Sequence, residues 1–225
     1  MKCLILAAGY ATRLYPLTEN FPKPLLKVGD KTILDWLVDD IDTAGLVDTY
    51  VVISNHKYAH HFENWAATKK QNIQVVDDGT SSNETRLGAV CDVQFAIDQL
   101  GLDDDLLVIA GDNVLDFSLS KFVAYAQQKK TSCIMRYYEP EEKKLMKCGV
   151  VELDDQDKIL SMEEKLPSPR ATGAALPSMC TLGRCQKGQR CNCTEEVWYR
   201  CSGQLYCMVV HSNGCACYGD AGQAV

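Results

Sequence analysis

Short apolar runs alternate with amphipathic segments along most of the chain. The runs have the length and composition of buried strands, and they predict strands at 2–7, 49–54, 73–76, 106–110 and 132–137. Between them, apolar residues recur every three or four positions, which predicts helices at 32–44, 60–69, 88–100 and 119–129. A strand pair is predicted at 149–153 and 159–162, around an Asp-rich turn.

Strands that alternate with helices predict an α/β fold, a doubly wound and mostly parallel sheet with helices on both faces. Ligands of such sheets bind at the carboxyl ends of the strands. The first strand runs out into Gly9 and the fourth into Asp112. We therefore expect the functional site near these two positions.

Composition narrows the class of protein. The 225 residues carry a net charge of −7, which argues against nucleic acid as a partner, although a local basic cluster can still bind small anions. The first apolar run is short and is interrupted by Arg13 and Pro16, and no stretch is long enough to cross a membrane. These features predict a cytoplasmic protein without a membrane partner. Oligomeric state cannot be read from the sequence.

The loop after the first strand has the chemistry of a phosphate site. It begins with Ala8 and Gly9, and its cations are Arg13 and Lys23. Glycine lets backbone N–H groups approach a phosphate, arginine offers a planar fork of donors, and lysine a mobile charge. The simpler alternative is a strand-to-helix turn that carries surface cations.

The whole segment resembles the opening motif of the sugar-1-phosphate nucleotidyltransferase family, L-x-x-G-x-G-T-R-L-x-P-x-T followed by P-K-x-L-L. Only the second glycine differs, because Ala11 stands in its place. The resemblance covers residues 1–170 and implies a nucleotide-diphospho-sugar transferase-like fold. It also implies that Ala8 and Gly9 bind the nucleotide and that Arg13 and Lys23 are catalytic.

Three later segments extend the resemblance. Asn83 and Gly88 lie where the family reads the base, and a helix N-terminus is the alternative explanation there. Gly-Asp-Asn at 111–113 matches a family motif whose aspartate holds Mg²⁺, so Asp112 is the implied metal ligand, although the same tripeptide is common in turns. The implied binding residues for the sugar phosphate are Gly149, Glu164 and Lys165. For Glu164, an exposed edge of mixed charge is the alternative.

The resemblance implies direct transfer between two substrates with Mg²⁺ as cofactor. A phosphate oxygen of a sugar 1-phosphate, or of another phosphorylated alcohol, attacks the α-phosphorus of a nucleoside triphosphate and releases pyrophosphate. A Rossmann dehydrogenase is rejected, because no acidic residue follows the second strand at Ser54. A relative that binds nucleotide without turnover remains open, because the family's second metal-binding aspartate is not found.

The pattern of strands and helices fails after Arg170. Eight of the twelve cysteines lie between Cys180 and Cys217, without the spacing of a zinc site. Residues 171–225 are therefore predicted to be a Cys-rich tail without a recognisable fold. Residues 171–180 and 198–209 can be written with synonymous codons that, when read in a shifted frame, encode segments like those of the family. We therefore infer a change of reading frame near the Arg170 codon. The encoding DNA tests this inference.

Overall fold

A computed structural model gives the fold of the chain. It describes residues 1–129, 131–138, 141, 143, 149–164, 174–175, 180–184, 199–201, 204–206 and 215–219. These residues fall into two compact units, and the division between them follows Ser120.

The first unit is built on a parallel sheet. Its long strands are β1 (Lys2–Leu6), β4 (Thr49–Ser54), β5 (Ile73–Asp77) and β6 (Asp105–Ala110), and its helices are α1 (Ile33–Asp42), α2 (Ala59–Ala66) and α3 (Ala89–Leu100). The strands lie in the order β5-β4-β1-β6, and neighbouring strands run parallel. Two short strands, β2 (Lys27–Val28) and β3 (Lys31–Thr32), form a separate antiparallel hairpin. The predicted α/β class is confirmed.

Strand β1 is the centre of this sheet. Leu6 lies opposite Ile53 of β4 and Ala110 of β6, so the three strands end at the same edge. Leu4 is fully buried and belongs to a core cluster with Val51, Val93 and other apolar side chains of α3 and the sheet. Apolar runs on a sheet buried in this way explain why the strand predictions were confirmed.

Local signals set the helix boundaries. Thr32 caps α1: its hydroxyl accepts a hydrogen bond from the Asp35 N–H, and the Asp35 carboxylate accepts one from the Thr32 N–H. The predicted start is thus confirmed. The helix ends at Asp42, two residues before the predicted end. Thr43 forms the C-cap, and the left-handed Gly45 follows two residues later.

The second unit contains mostly antiparallel strands. The division between units falls within α4 (Leu119–Lys129), and β7 (Ser132–Tyr138) follows. The predicted pair β8 (Gly149–Leu153) and β9 (Ile159–Glu164) is confirmed as antiparallel. Short strands also occur beyond residue 170, at β10 (Ala174–Ala175), β11 (Cys180–Arg184), β12 (Tyr199–Cys201), β13 (Gln204–Tyr206) and β14 (Cys215–Gly219).

These later strands were not predicted by any apolar period. Strands β10 and β11 pair antiparallel to β7, β14 pairs parallel to it, and β12 pairs with β13. The proposed domain boundary at residue 170 and the reading-frame inference stay predictions. Among the helices that the structure describes, none combines the length and the apolar character that crossing a bilayer requires.

Candidate active site

The loop after β1 turns sharply at Ala11. Its backbone lies in the left-handed region, with φ 45° and ψ 41°, and a short 3₁₀ turn at Thr12–Leu14 follows. The Thr18 hydroxyl donates to the Ala11 carbonyl at 2.8 Å and fixes the turn. Alanine in this conformation costs about 1 kcal/mol, whereas glycine adopts it freely. The left-handed backbone thus explains why the family motif has glycine at this position. In this chain Ala11 adopts that conformation at an energetic cost.

Ala8 and Gly9 form the beginning of this loop. The Ala8 carbonyl accepts a hydrogen bond from the Asn55 side-chain amide at 2.9 Å, which ties the loop to the end of β4. Gly9 is exposed, and a Cβ placed on it would contact no atom within 4 Å. The protein itself therefore leaves space beside Gly9. The nucleotide-binding roles of both residues stay predictions.

Lys23 and Asp112 meet at the edge of the sheet. Lys23 opens a 3₁₀ turn, Lys23–Leu25, in which Pro24 restrains the backbone, and Asp112 follows the end of β6. The Lys23 Nζ lies 2.8 Å from Asp112 Oδ2, although the two residues are 89 positions apart. The Asn113 side-chain amide donates to Asp112 Oδ1 at 3.1 Å. The predicted catalytic lysine and the predicted metal ligand are therefore in direct contact.

Gly111 allows Asp112 to reach this position. Its N–H donates to the Leu6 carbonyl at 2.9 Å, which continues the pairing of β1 and β6 beyond the strands. A Cβ at residue 111 would lie 2.9 Å from Cγ2 of Ile5 and 3.3 Å from the Leu6 oxygen. A side chain there would require Ile5 or the adjoining backbone to shift. The glycine of the Gly-Asp-Asn motif is thus required by packing.

Three further predicted site residues, Arg13, Asn83 and Gly88, also lie in the first unit. Arg13 lies in the 3₁₀ turn after Ala11 and is exposed to solvent. The Asn83 carbonyl Oδ1 accepts a hydrogen bond from Arg86 at 2.7 Å. Gly88 caps α3 with φ 90° and ψ 153°, a conformation that side chains rarely adopt. The roles of Arg13, Asn83 and Gly88 toward a ligand stay predictions.

Two buried carboxyl groups were missed by the sequence analysis. Asp78 follows β5 and Asp92 lies in the first turn of α3, with 7% and 5% of their surface exposed. Burial, and to a smaller extent the charge of Asp78, raise the pKa of Asp92 to about 7. The available signal was an aspartate beside Val93 and four residues before Ala96, on the apolar face of a predicted helix.

Polar side chains also meet where β4 and β5 end. His56 Nδ1 lies 2.6 Å from Asp77 Oδ2, and this hydrogen bond raises the pKa of the exposed His56. The His56 N–H donates to the Thr80 carbonyl at 2.9 Å. The Tyr10 hydroxyl donates to the same carbonyl at 3.1 Å. Thr80 thus joins the loops that follow β1, β4 and β5.

Two of the three residues predicted to bind the sugar phosphate are described by the structure, and both lie in the second unit. Gly149 begins β8 and Glu164 ends β9, and the two residues lie opposite each other in the antiparallel pair. The structure therefore brings these two backbones together. Lys165 lies outside the described residues.

A metal site at Asp112 would have few protein ligands. Across the described ranges, no group of three or more His, Cys, Asp or Glu side chains is arranged to hold an ion. Asp112 is a single carboxylate whose side chain is 23% exposed at the edge of the sheet. Magnesium accepts one or two carboxylates and completes its shell with water and substrate phosphates. The geometry fits that kind of site.

Comparisons with known proteins agree with this architecture. The model of the nucleotidyl transferase family matches residues 2–181. The bifunctional protein GlmU of Methanocaldococcus jannaschii is 32% identical over 76% of this chain and 37% of its own length. A glucose-1-phosphate thymidylyltransferase of Streptomyces griseus is 30% identical over 76% of this chain and 46% of its own length.

Solved structures share the fold. A UDP-glucose pyrophosphorylase complexed with UDP-glucose superposes with a TM-score of 0.68 at 20% identity, over 81% of this chain and 75% of the other. A second solved structure is that of a glucose-1-phosphate thymidylyltransferase of Bacillus anthracis in complex with a sucrose. It superposes with a TM-score of 0.68 at 21% identity, over 82% of this chain and 71% of the other. At these identities the likeness establishes the fold.

Proposed function

Because the chain belongs to the nucleotidyl transferase family, we propose that it joins a nucleoside triphosphate to a sugar 1-phosphate and releases pyrophosphate. The curated relatives described above support this substrate class by their names. The chain spans 37% to 46% of the length of those relatives, so the activity of the whole protein is part of the proposal. A cytoplasmic location stays a prediction.

The observation that carries the proposal is the contact between Lys23 and Asp112. Two segments that resemble separate motifs of the family meet at 2.8 Å, at the carboxyl end of a parallel sheet. That edge is where α/β folds bind their ligands. A pair with partly exposed side chains, 27% for Lys23 and 23% for Asp112, can rearrange around a ligand.

The chemistry is a displacement at the α-phosphorus. An oxygen of the sugar phosphate forms a bond to this phosphorus, and the bond to the oxygen that bridges to the β-phosphate breaks. Negative charge then grows on the departing pyrophosphate. Lys23, whose backbone is restrained by the proline that follows it, offers positive charge to these oxygens. Arg13 lies on the same loop and offers planar donors. No protein nucleophile is required.

Asp112 is the residue that would hold the magnesium ion implied by the family resemblance. Its carboxylate is the hard oxygen ligand that this ion prefers. A bound magnesium ion supplies Lewis-acid charge to phosphate oxygens. Asn113 donates to Oδ1 and Lys23 to Oδ2, so the carboxylate is oriented before any ligand arrives. This orientation lowers the cost of binding.

The acceptor is expected to contact the second unit. Gly149 and Glu164, which lie opposite each other, are proposed to bind the sugar phosphate, and Lys165 is proposed to meet its phosphate. If Glu164 instead belongs to an exposed edge of mixed charge, removing its carboxylate should not change the KM for the sugar phosphate. Glu164→Gln separates these: a rise in the KM for the sugar phosphate with an unchanged KM for the nucleotide supports binding.

The direct test is a matrix of nucleoside triphosphates against sugar 1-phosphates, with pyrophosphate release as the readout and Mg²⁺ in the buffer. Release that requires both substrates supports the proposal. Nucleotide binding without release with any acceptor supports the alternative, a relative that binds without turnover. Release in the absence of an acceptor would indicate hydrolysis and would contradict both.

A further inference from the structure

The loop after β1 is mostly exposed and is anchored by a single threonine. Within residues 11–21, all of which the structure describes, Thr18 is the only buried residue, and its exposed fraction is zero. Threonine carries a hydroxyl group, which needs a hydrogen-bond partner when it is buried. The partners of Thr18 therefore show how this segment is attached to the rest of the first unit.

Thr18 connects the turn at Ala11 to the start of α2. Its hydroxyl donates to the Ala11 carbonyl at 2.8 Å, and its own carbonyl accepts from the Tyr58 hydroxyl, also at 2.8 Å. The Ala11 carbonyl accepts in addition from the Leu14 N–H at 2.9 Å, and this hydrogen bond closes the 3₁₀ turn around Arg13. Three successive hydrogen bonds, the Tyr58 relay, thus connect α2 to the turn that carries Arg13.

Tyr58 is itself held in place. It is 1% exposed, and the centroid of its ring lies 5.9 Å from that of the Tyr10 ring. Its N–H donates to Oδ1 of the fully buried Asn55 at 3.1 Å, and the Asn55 amide donates to the Ala8 carbonyl. Burial raises the pKa of Tyr58, so its hydroxyl keeps its proton and donates at neutral pH. The same hydroxyl lies 3.4 Å from the Glu19 carbonyl. The start of α2 therefore holds both ends of the loop.

The conformation of Ala11 makes this support necessary. A left-handed backbone is unfavourable for alanine, and such a conformation persists where the surrounding structure fixes it. Without the hydrogen bond from Thr18, the Ala11 backbone can relax toward conformations that alanine prefers, and the following residues move with it. Arg13 lies two positions further along and is exposed. The position of its backbone therefore depends on this turn.

We propose that Tyr58 is a positioning residue, which acts through Thr18 and the left-handed turn to hold Arg13 in place for the transition state. The position of such a group matters, because a displacement of about 1 Å can lower a rate by about 100-fold. The effect on turnover rests on the function proposed above. The effect of Tyr58 on the turn itself does not depend on that function.

The first measurement is limited trypsin digestion of the full chain, which tests the turn without an activity assay. Cleavage after Arg13 is divided by cleavage after Lys27, an exposed residue of β2, so unfolding of the whole unit leaves the ratio unchanged. Tyr58→Phe and Thr18→Val each remove one hydroxyl and should raise this ratio at least about fivefold, because cleavage requires local opening. Thr18→Ser keeps the hydroxyl and should follow wild type. A wild-type ratio in Tyr58→Phe would overturn the relay.

Tyr50→Phe is the matched control. Tyr50 lies on β4, is also 1% exposed, and its hydroxyl donates to Asp42 at 3.3 Å. Removal of this hydroxyl should leave both the cleavage ratio and turnover at the wild-type value. An equal rise of the ratio in Tyr50→Phe would show that the loss of any buried hydroxyl has this effect, and would overturn the specific role of Tyr58.

The second measurement is steady-state kinetics with pyrophosphate release as the readout. Tyr58→Phe should lower kcat by about 10- to 100-fold and change the nucleotide KM by less, because it displaces a group that meets charge in the transition state. In the Arg13→Ala background, the same substitution should lower kcat by less than about threefold, since the group that it displaces is already absent.

The outcomes separate this role from the proposed function. Losses that add in the double variant, or a change confined to KM, would overturn the positioning of Arg13 by Tyr58. If wild type releases no pyrophosphate with any pair of substrates, the proposed function fails, and the positioning role fails with it. The cleavage ratio then still decides whether Tyr58 holds the turn.

Discussion

Two sets of titratable residues near the sheet of the first unit differ in sign and in burial. Where β1 and β6 end, Lys23 and Asp112 pair with opposite charges, and their side chains are 27% and 23% exposed. By contrast, Asp78, which follows β5, and Asp92, in the first turn of α3, are two carboxyl groups that are only 7% and 5% exposed. The first unit thus has one ion pair that a ligand can reach and two carboxyl groups that are buried from solvent.

This difference in burial determines whether charged side chains can bind a ligand or mainly affect the stability of the fold. A partly exposed ion pair contributes at most about 1 kcal/mol to stability, so its residues can exchange partners when a phosphate or a cation binds. Buried carboxyl groups are costly to ionise, so they act on the stability of the fold. Variants of the first pair should therefore affect turnover, and variants near the second should affect stability and pH dependence.

The largest expected effect is on Asp112. Asp112→Asn should lower turnover by about 1000-fold, because the carboxylate that would hold the cation and orient Lys23 is lost. Thermal unfolding should change little, because the partly exposed pair contributes little to stability. Asp116→Asn, at an exposed position nearby, is the control. Wild-type turnover in Asp112→Asn would remove the metal assignment.

Lys23 should show a smaller loss of the same kind. Lys23→Ala should lower kcat by about 100-fold and raise the nucleotide KM by less, because its charge meets charge that grows in the transition state. Arg13→Ala is expected to act in the same direction. Lys27→Ala, exposed on β2, is the matched control. Steady-state kinetics decide: a change confined to KM would show that Lys23 only docks the triphosphate.

Gly111 tests how tightly the first pair is supported. Gly111→Ala should destabilise the fold by about 1–3 kcal/mol, because its Cβ would lie 2.9 Å from Ile5 Cγ2. Gly9→Ala should change the free energy of unfolding by less than about 0.5 kcal/mol, since a Cβ meets no atom within 4 Å there. Denaturant unfolding compares the two. Equal stabilities would contradict the packing explanation.

The smallest effect concerns the end of β4. Asp77→Asn should lower the pKa of His56, because the hydrogen bond from the charged imidazole is weakened. The pairing stabilises the fold at pH values below the unfolded pKa of histidine, near 6.5, and this contribution is lost as the pH rises through the folded pKa. Histidine NMR titration measures the shift, and Asp98→Asn should leave it unchanged. No shift in Asp77→Asn would rule out the pairing in solution.

Much of this fold could be predicted because its strands are buried on a parallel sheet. Segments such as Thr49–Ser54 have no polar alternation that could suggest a surface loop. The helix α1 was bounded by Thr32, whose capping chemistry is local. The contact between Lys23 and Asp112 could be expected only in outline, as two loops at one edge. Its 2.8 Å distance depends on chain segments 89 residues apart.

Other features depend on packing that no local pattern shows. The left-handed backbone of Ala11 was not predictable from an alanine, which normally avoids that region. The sequence showed Gly111 only as part of the Gly-Asp-Asn motif, whereas its main constraint in the structure is the neighbouring Ile5. Asp92 was passed over because the apolar period around it satisfied the helix prediction. The roles of Asn83 and Gly88 stay predictions, because they concern a ligand.

The central place of β1 has a consequence for the order of folding. Leu6 pairs with Ile53 and Ala110, so β1 can pair only after the ribosome has synthesised β4 and β6. Non-local pairing of this kind slows folding, and chains fold from the N-terminus only as far as their partners exist. During synthesis the Gly9 loop is therefore made long before Asp112, and β6 must leave the ribosome before Lys23 and Asp112 can meet.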